Sequence, residues 1–251
     1  MGSGDGTTGE VAAPGRGGDP IKSEEVMLFH RFAKSILRGL LAILLDYEVV
    51  GLENVPRKGP LIVAINHMNF LDPVLATVFI PRDIVGMAKA ELFGYPVVGL
   101  VFRLYGAFPV HRGEIDRMAL RKAMAALKEE KALLMAPEGT RGGDWRLIKA
   151  RDGVAYVALK ASVPILPMAI SGSERFWKEL ARLRRTKAKI VVGEPFVLVP
   201  REDRVTREQL DEMTTEAMYR LAALLPPEYR GVYSDLSAAR EEHTRPYKGG
   251  S

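Results

Sequence analysis

The chain has 251 residues, 47% of them hydrophobic, which allows one substantial core and is short for two domains. It has no cysteine, excluding disulfides and thiolate chemistry, and its four histidines (His30, His67, His111, His243) never stand at zinc-ligand spacing, so no metal site is expected. A formal charge of +5 and a pI near 9.4 favour anionic partners, among them phosphorylated metabolites, acidic lipid surfaces and nucleic acid.

The start of the chain is Gly-rich, carries acidic residues and lacks an apolar core, so residues 1–22 read as a flexible tail rather than a secretory signal. Residues 23–46 predict an amphipathic helix. Phe29, Phe32, Ala33, Ile36, Leu40, Ile43 and Leu44 recur at helical spacing, and Arg31, Lys34 and Arg38 share another face. Two uses fit it equally, lying in a membrane interface or packing on the sheet. No stretch of 18 apolar residues occurs, so no ordinary membrane-spanning helix is expected.

Strand-like runs follow at Tyr47 to Val50 and Leu61 to Ile65, with a Pro/Gly turn between them. Asp72-Pro73 reads as an N-cap with proline at the first helical position, opening a helix to about Phe79. Ile84 to Met87 predicts a short strand, Ala90 to Tyr105 a region with a helix, and Ala107 to Val110 another strand. A helix from about Ile115 to Lys131 precedes a buried strand at Ala132 to Ala136. Then come a helix at Asp152 to Ala161, strands at Ile165 to Ile170 and Ile190 to Val192, and a helix from Arg207 to about Leu225, stopped by Pro226-Pro227. Strands separated by helices over 47–230 imply a single α/β domain with a mostly parallel central sheet flanked by helices. The N-terminal helix precedes it and residues 231–251 form a C-terminal tail.

In a parallel sheet, ligands bind beyond the carboxyl ends of strands. His67, Arg112 and the block Glu138 to Arg141 each follow a strand candidate, so they are expected to share one rim. His67 lies in Asn66-His67-Met68-Asn69-Phe70-Leu71-Asp72, five residues before a carboxylate. On one regular helix that spacing would place the two side chains about 140° apart. They meet only if His67 occupies the preceding loop and Asp72 the helix start. A neutral imidazole takes a proton at neutral pH, and a carboxylate on its other nitrogen fixes the tautomer. The dull alternative is a capping aspartate beside a loop histidine.

In Pro137-Glu138-Gly139-Thr140-Arg141, Gly139 permits close backbone approach, Thr140 supplies a hydroxyl and Arg141 a bidentate phosphate grip. Glu138 repels a phosphate, and is expected to orient Arg141 or accept from a substrate hydroxyl. Backbone N–H groups near Gly139 are candidate oxyanion donors. Two further blocks are Gly106 to Arg112 and Val163-Pro164-Ile165-Leu166-Pro167, the latter read as structural.

In this order the four blocks resemble those of the glycerolipid acyltransferases, in particular the 1-acyl-sn-glycerol-3-phosphate acyltransferases. The resemblance spans about residues 47 to 200, with departures at Asn69, Ala136 and Gly142. It implies transfer of a fatty acyl group from a thioester to the free hydroxyl of 1-acylglycerol 3-phosphate, with His67 as general base and Asp72 as its orienter. Acceptor binding falls by the same resemblance to Arg112, Glu138 and Arg141, with Gly139 and Thr140 beside them and Lys89 as a further phosphate contact. No tightly bound cofactor is implied; acyl-coenzyme A or an acyl carrier protein thioester is the co-substrate. The expected partners are a lysophospholipid or phosphorylated glycerol, an anionic membrane surface and acyl carrier protein, with no nucleic acid. The expected place is the cytoplasm, peripherally on the inner face of the membrane.

The basic run from Arg175-Phe176-Trp177-Lys178 to Lys189 suits such a surface, or is merely a solvated face. Other readings are the same chemistry on glycerol 3-phosphate, a glycolipid or another lysolipid, and a catalytically silent membrane-binding relative.

Overall fold

The apolar runs Leu61 to Ile65, Ala132 to Met135 and Ile165 to Ser171 become strands buried on both faces, which leaves little alternation to see. In this computed structural model residues 20–96, 99, 102, 107–110, 116–140, 142–202 and 204–249 are described, with side chains from residue 32 on. The strands are β1 (Leu45–Val50), β2 (Leu61–Ile65), β3 (Ile84–Lys89), β4 (Phe108–Val110), β5 (Ala132–Met135), β6 (Ile165–Ser171), β7 (Thr186–Val192), β8 (Phe196–Leu198) and β9 (Thr244–Pro246). They lie in the order β1-β7-β6-β2-β5-β3-β4, with β8 on β6 and β9 on β8. From β6 through β2, β5 and β3 to β4 every pairing is parallel, whereas β7 and β8 run antiparallel to β6. The expected mostly parallel α/β sheet is the observed one.

β2 sits between β5 and β6, and all five of its residues are buried. Leu61, Val63 and Ile65 face one layer, where helices α1 (Pro20–Leu44), α2 (Leu71–Phe79) and α5 (Phe176–Leu180) contribute Leu41, Leu75 and Phe176. Ile62 and Ala64 face the other. There α3 (Arg117–Lys128), α4 (Gly153–Ala161) and α6 (Arg207–Ala223) contribute Ala123, Ala155 and Met213. Each buried leucine in such a core stabilises by about 1.5–3 kcal/mol, before entropy is charged against it.

Helix α1 corrects one expectation. The side that packs carries Leu37, Leu41 and Leu44, while Phe32, Ile36, Leu40 and Ile43 of the predicted apolar face point outward. Lys34 and Arg38, expected on a separate basic face, turn toward the body. Lys34 Nζ donates to Arg82 O at 2.7 Å, and Arg38 Nη2 to Val78 O at 3.1 Å with its guanidinium over the Phe79 ring. Satisfying carbonyls near the end of α2 sets the rotation of the helix, not the count of apolar residues.

The C-terminal stretch expected as a tail is folded over much of its length. Gly231–Tyr233 docks on Leu147 through its backbone, and Tyr233 Oη accepts from Ala150 N at 3.1 Å. β9 covers β8, a sheet edge that would otherwise expose unpaired donors and acceptors. The tail expected at 1–22 lies outside the described residues as far as residue 19.

Candidate active site

β2 ends at Ile65, and Asn66 extends its pairing with β6 through a side chain. Asn66 Nδ2 donates to Ile170 O at 2.7 Å, and Ile170 N donates to Asn66 Oδ1 at 2.8 Å. This buried amide clamp fixes where the next residue, His67, leaves the sheet.

Asp72 is not the N-cap of α2. Phe70 holds that position and Asp72 lies inside the first turn. Its carboxylate reaches back into the loop, where Oδ2 accepts from Met68 N at 2.7 Å and from Asn69 N at 2.6 Å. Oδ1 accepts from Ser173 Oγ at 2.6 Å. Three donors on a fully buried carboxylate make its position rigid. His67 Nδ1 lies 3.8 Å from Asp72 Oδ2, beyond hydrogen-bond length, and this buried nitrogen has no other partner. The imidazole is 12% exposed, so one edge reaches solvent while Nδ1 faces the aspartate.

Ser173 has no counterpart in the sequence reading. It follows β6, the neighbour of β2, and its carbonyl also accepts from Asn69 Nδ2 at 2.5 Å. Only the sheet order brings it within reach of Asp72. Gly172 just before it has φ 83°, and a side chain there would collide with the carbonyl of Lys187.

Glu138 leaves β5 beside His67 and is 2% exposed. Its Oε1 accepts from His67 N at 3.0 Å and its Oε2 from Ile148 N at 3.1 Å. Burial pushes its carboxyl above the ordinary carboxylate range, opposed by those two N–H donors. The expectation was a group that orients Arg141 or holds a substrate hydroxyl. Among the described residues the carboxylate ties the backbone of the His67 loop to that of Ile148. Gly139 has φ 67°, and its N–H donates to Ala136 O at 3.0 Å, so that N–H is already used in the turn rather than offered to an oxyanion. Thr140 is exposed beside it.

Lys89 ends β3 in register with Val110 of β4, exposed on the same carboxyl rim, and pairs with Glu91 at 3.0 Å. Arg112, Arg141 and His111 lie outside the described residues. The parallel order β6-β2-β5-β3-β4 therefore gathers Ser173, His67, Glu138 and Lys89 along one rim. Among the described residues no group of three or more His, Asp or Glu could hold a metal ion.

Residues 46–171 match the family model described as Acyltransferase. A 1-acyl-sn-glycerol-3-phosphate acyltransferase of Limnanthes alba is 32% identical over 154 residues, 57% of this chain and 52% of that protein. The chain thus spans about half the length of that relative. One of the same name from Bacillus subtilis is 26% identical over 196 residues, covering 78% of this chain and 96% of its own length. The crystal structure of the 1-acyl-sn-glycerophosphate (LPA) acyltransferase PlsC from Thermotoga maritima superposes with a TM-score of 0.62 at 22% identity. It covers 88% of this chain and 85% of that one, and shares the fold. With half of its length matched by the family model, including the loop that carries His67, the carboxylate that faces it and the turn of Glu138, this chain belongs to the acyltransferase family.

Proposed function

We propose that this protein moves a fatty acyl group from the thioester of coenzyme A or of acyl carrier protein to the free hydroxyl of 1-acylglycerol 3-phosphate, giving phosphatidic acid. The observation that carries the reading is His67, on the carboxyl rim with Nδ1 turned to a carboxylate that three donors hold in place. The names of the relatives suggest the acceptor.

His67 removes the proton from the acceptor hydroxyl as its oxygen attacks the thioester carbonyl. The carbon–sulfur bond then breaks, and the sulfur leaves as the free thiol with the proton carried by the imidazole. Asp72 fixes the tautomer that leaves Nε2 free to accept, and steadies the imidazolium as it forms. A small rotation of the ring closes the 3.8 Å gap once an acceptor is bound. The residues assigned to the acceptor phosphate are Arg141, Arg112 and Lys89, with Gly139 and Thr140 lining the approach and Glu138 holding the His67 loop. No tightly bound cofactor has a part in these steps.

Association is peripheral, on the inner face of the membrane. It is supported by the outward row Phe32, Ile36, Leu40 and Ile43 on α1.

Release of free thiol from palmitoyl-coenzyme A, with and without lysophosphatidic acid, tests the reading. Wild type releases thiol only with the acceptor, and His67→Ala lowers the rate by about 10²- to 10⁴-fold. Release that survives the substitution, or that ignores the acceptor, sinks it.

A further inference from the structure

Between α5 and β7 the chain makes a turn whose tip projects from the fold. Leu183 at its tip is 96% exposed, and Trp177 on α5 is 63% exposed. Leu183 has φ 54°, a left-handed conformation that bulky residues rarely adopt, held by hydrogen bonds from Leu183 N to Leu180 O and from Arg184 N to Glu179 O. Residues 175 to 189 contain seven lysines and arginines and a single acid, Glu179. Three of the seven are engaged: Arg175 with Glu174, Arg185 with Leu45 O and Lys189 with Glu48. Lys178, Arg182, Arg184 and Lys187 have no partner among the described residues.

The turn stands on the rim that carries His67. β7 runs antiparallel to β6 with Lys189 opposite Ser171, so Thr186 to Ala188 overshoot the end of β6 by about 10 Å at the rise of a strand. On one side Trp177 stacks on Phe70, with ring centroids 5.3 Å apart, and Phe70 follows His67 by three residues. On the other side Arg185 Nη2 donates to Leu45 O at 2.5 Å, which sets the turn against the end of α1, where Ile43 is exposed.

We propose that residues 177–187 seat the protein on an anionic lipid bilayer. Trp177 and Leu183 enter the acyl region, and Lys178, Arg182, Arg184 and Lys187 lie on the lipid phosphates. An apolar tip inside a ring of unpaired cations matches the layering of a bilayer, phosphate above hydrocarbon. An acidic protein would account for the cations but not for a leucine with no surface around it. The inference rests on the proposed function in one respect: it turns the His67 rim toward the layer in which a lysophosphatidate lies.

The chain has two tryptophans, so in a Trp145→Phe background Trp177 reports alone. Vesicles of equal parts phosphatidylcholine and phosphatidylglycerol are expected to shift its emission to the blue. Brominated acyl chains should quench it, and high salt should reverse the binding. Leu183→Glu, which removes no internal packing, is expected to weaken vesicle binding about tenfold. It should slow acylation of long-chain lysophosphatidate in vesicles to a similar degree, leaving that of a short-chain, water-soluble lysophosphatidate unchanged.

The proposal is overturned by an absent shift, by a shift that acyl carrier protein produces and vesicles do not, or by Leu183→Glu binding as tightly as wild type. Docking through Trp177 in a protein that acylates no lysophosphatidate would support the surface and remove the proposed function.

Discussion

At the amino end of the sheet, Arg82 holds four main-chain carbonyls, those of Pro56, Lys58, Gly59 and Glu130, and so gathers the turns that lead into β2 and β5. At the carboxyl end, Asp72 in turn accepts from three donors, yet beside it His67 Nδ1 is buried with nothing to bond. Both ends bury charge, but at the carboxyl end a histidine nitrogen next to a buried carboxylate is left unsatisfied. A cleft of about 710 Å³ opens at the amino end, lined by Lys34, Arg38, Arg57 and Arg82. Three of those cations already hold carbonyls, so size alone misleads there. A saturated charge builds structure, whereas a histidine nitrogen left unsatisfied beside a rigid carboxylate is what the proposed general base requires.

The contrast can be broken most sharply at Asp72. Asp72→Asn keeps the shape and leaves an oxygen for the two backbone N–H groups, but no longer selects the tautomer of His67. The acylation rate is expected to drop by about 10²- to 10⁴-fold in a protein that unfolds near the wild-type temperature. Equal losses of activity and of stability would show instead that the aspartate is a structural group.

Arg82→Ala probes the other end and should do the reverse. Loss of its carbonyl contacts is expected to lower stability by about 2 kcal/mol, read by urea denaturation, with the rate on a soluble acceptor unchanged in the folded fraction. A specific loss of rate would blur the division between the two ends.

Tyr229 gives the smallest effect and refines the contrast within the carboxyl rim. Its hydroxyl donates to Glu174 Oε1 at 2.9 Å, and burial together with that bond pushes it up to about 12. A raised value in the folded state means stability that is present below the ordinary tyrosine value of 10.0 and lost as pH rises from there toward 12. Tyr229→Phe is expected to cost about 1 kcal/mol at neutral pH and to flatten that alkaline decline. A variant with the wild-type decline would assign it to other groups.

Much of the chain was legible locally. The run Leu61 to Ile65 is β2 as expected, Asp152 to Ala161 differs from α4 by one residue, and α3 is a shorter version of its predicted span. The misses share a cause. β8 and β9 have three residues each, too few to display a period, and form because each covers the other's edge. At the site, His67 and Asp72 could be picked out because they are close in sequence and follow an apolar strand. Ser173, 101 residues from Asp72, could not.

The sequence alone determined the α/β class, the alternation of strand and helix and the His67–Asp72 pair, because periodicity and short spacing are properties of neighbouring residues. Tertiary structure decided which way α1 faces, that Asp72 reaches back into its loop, that Glu138 braces the backbone of His67 and that Ser173 completes the carboxylate's contacts. The last two are hydrogen bonds between segments far apart in the chain, and they exist only because the parallel order of β6, β2 and β5 brings their ends to one rim.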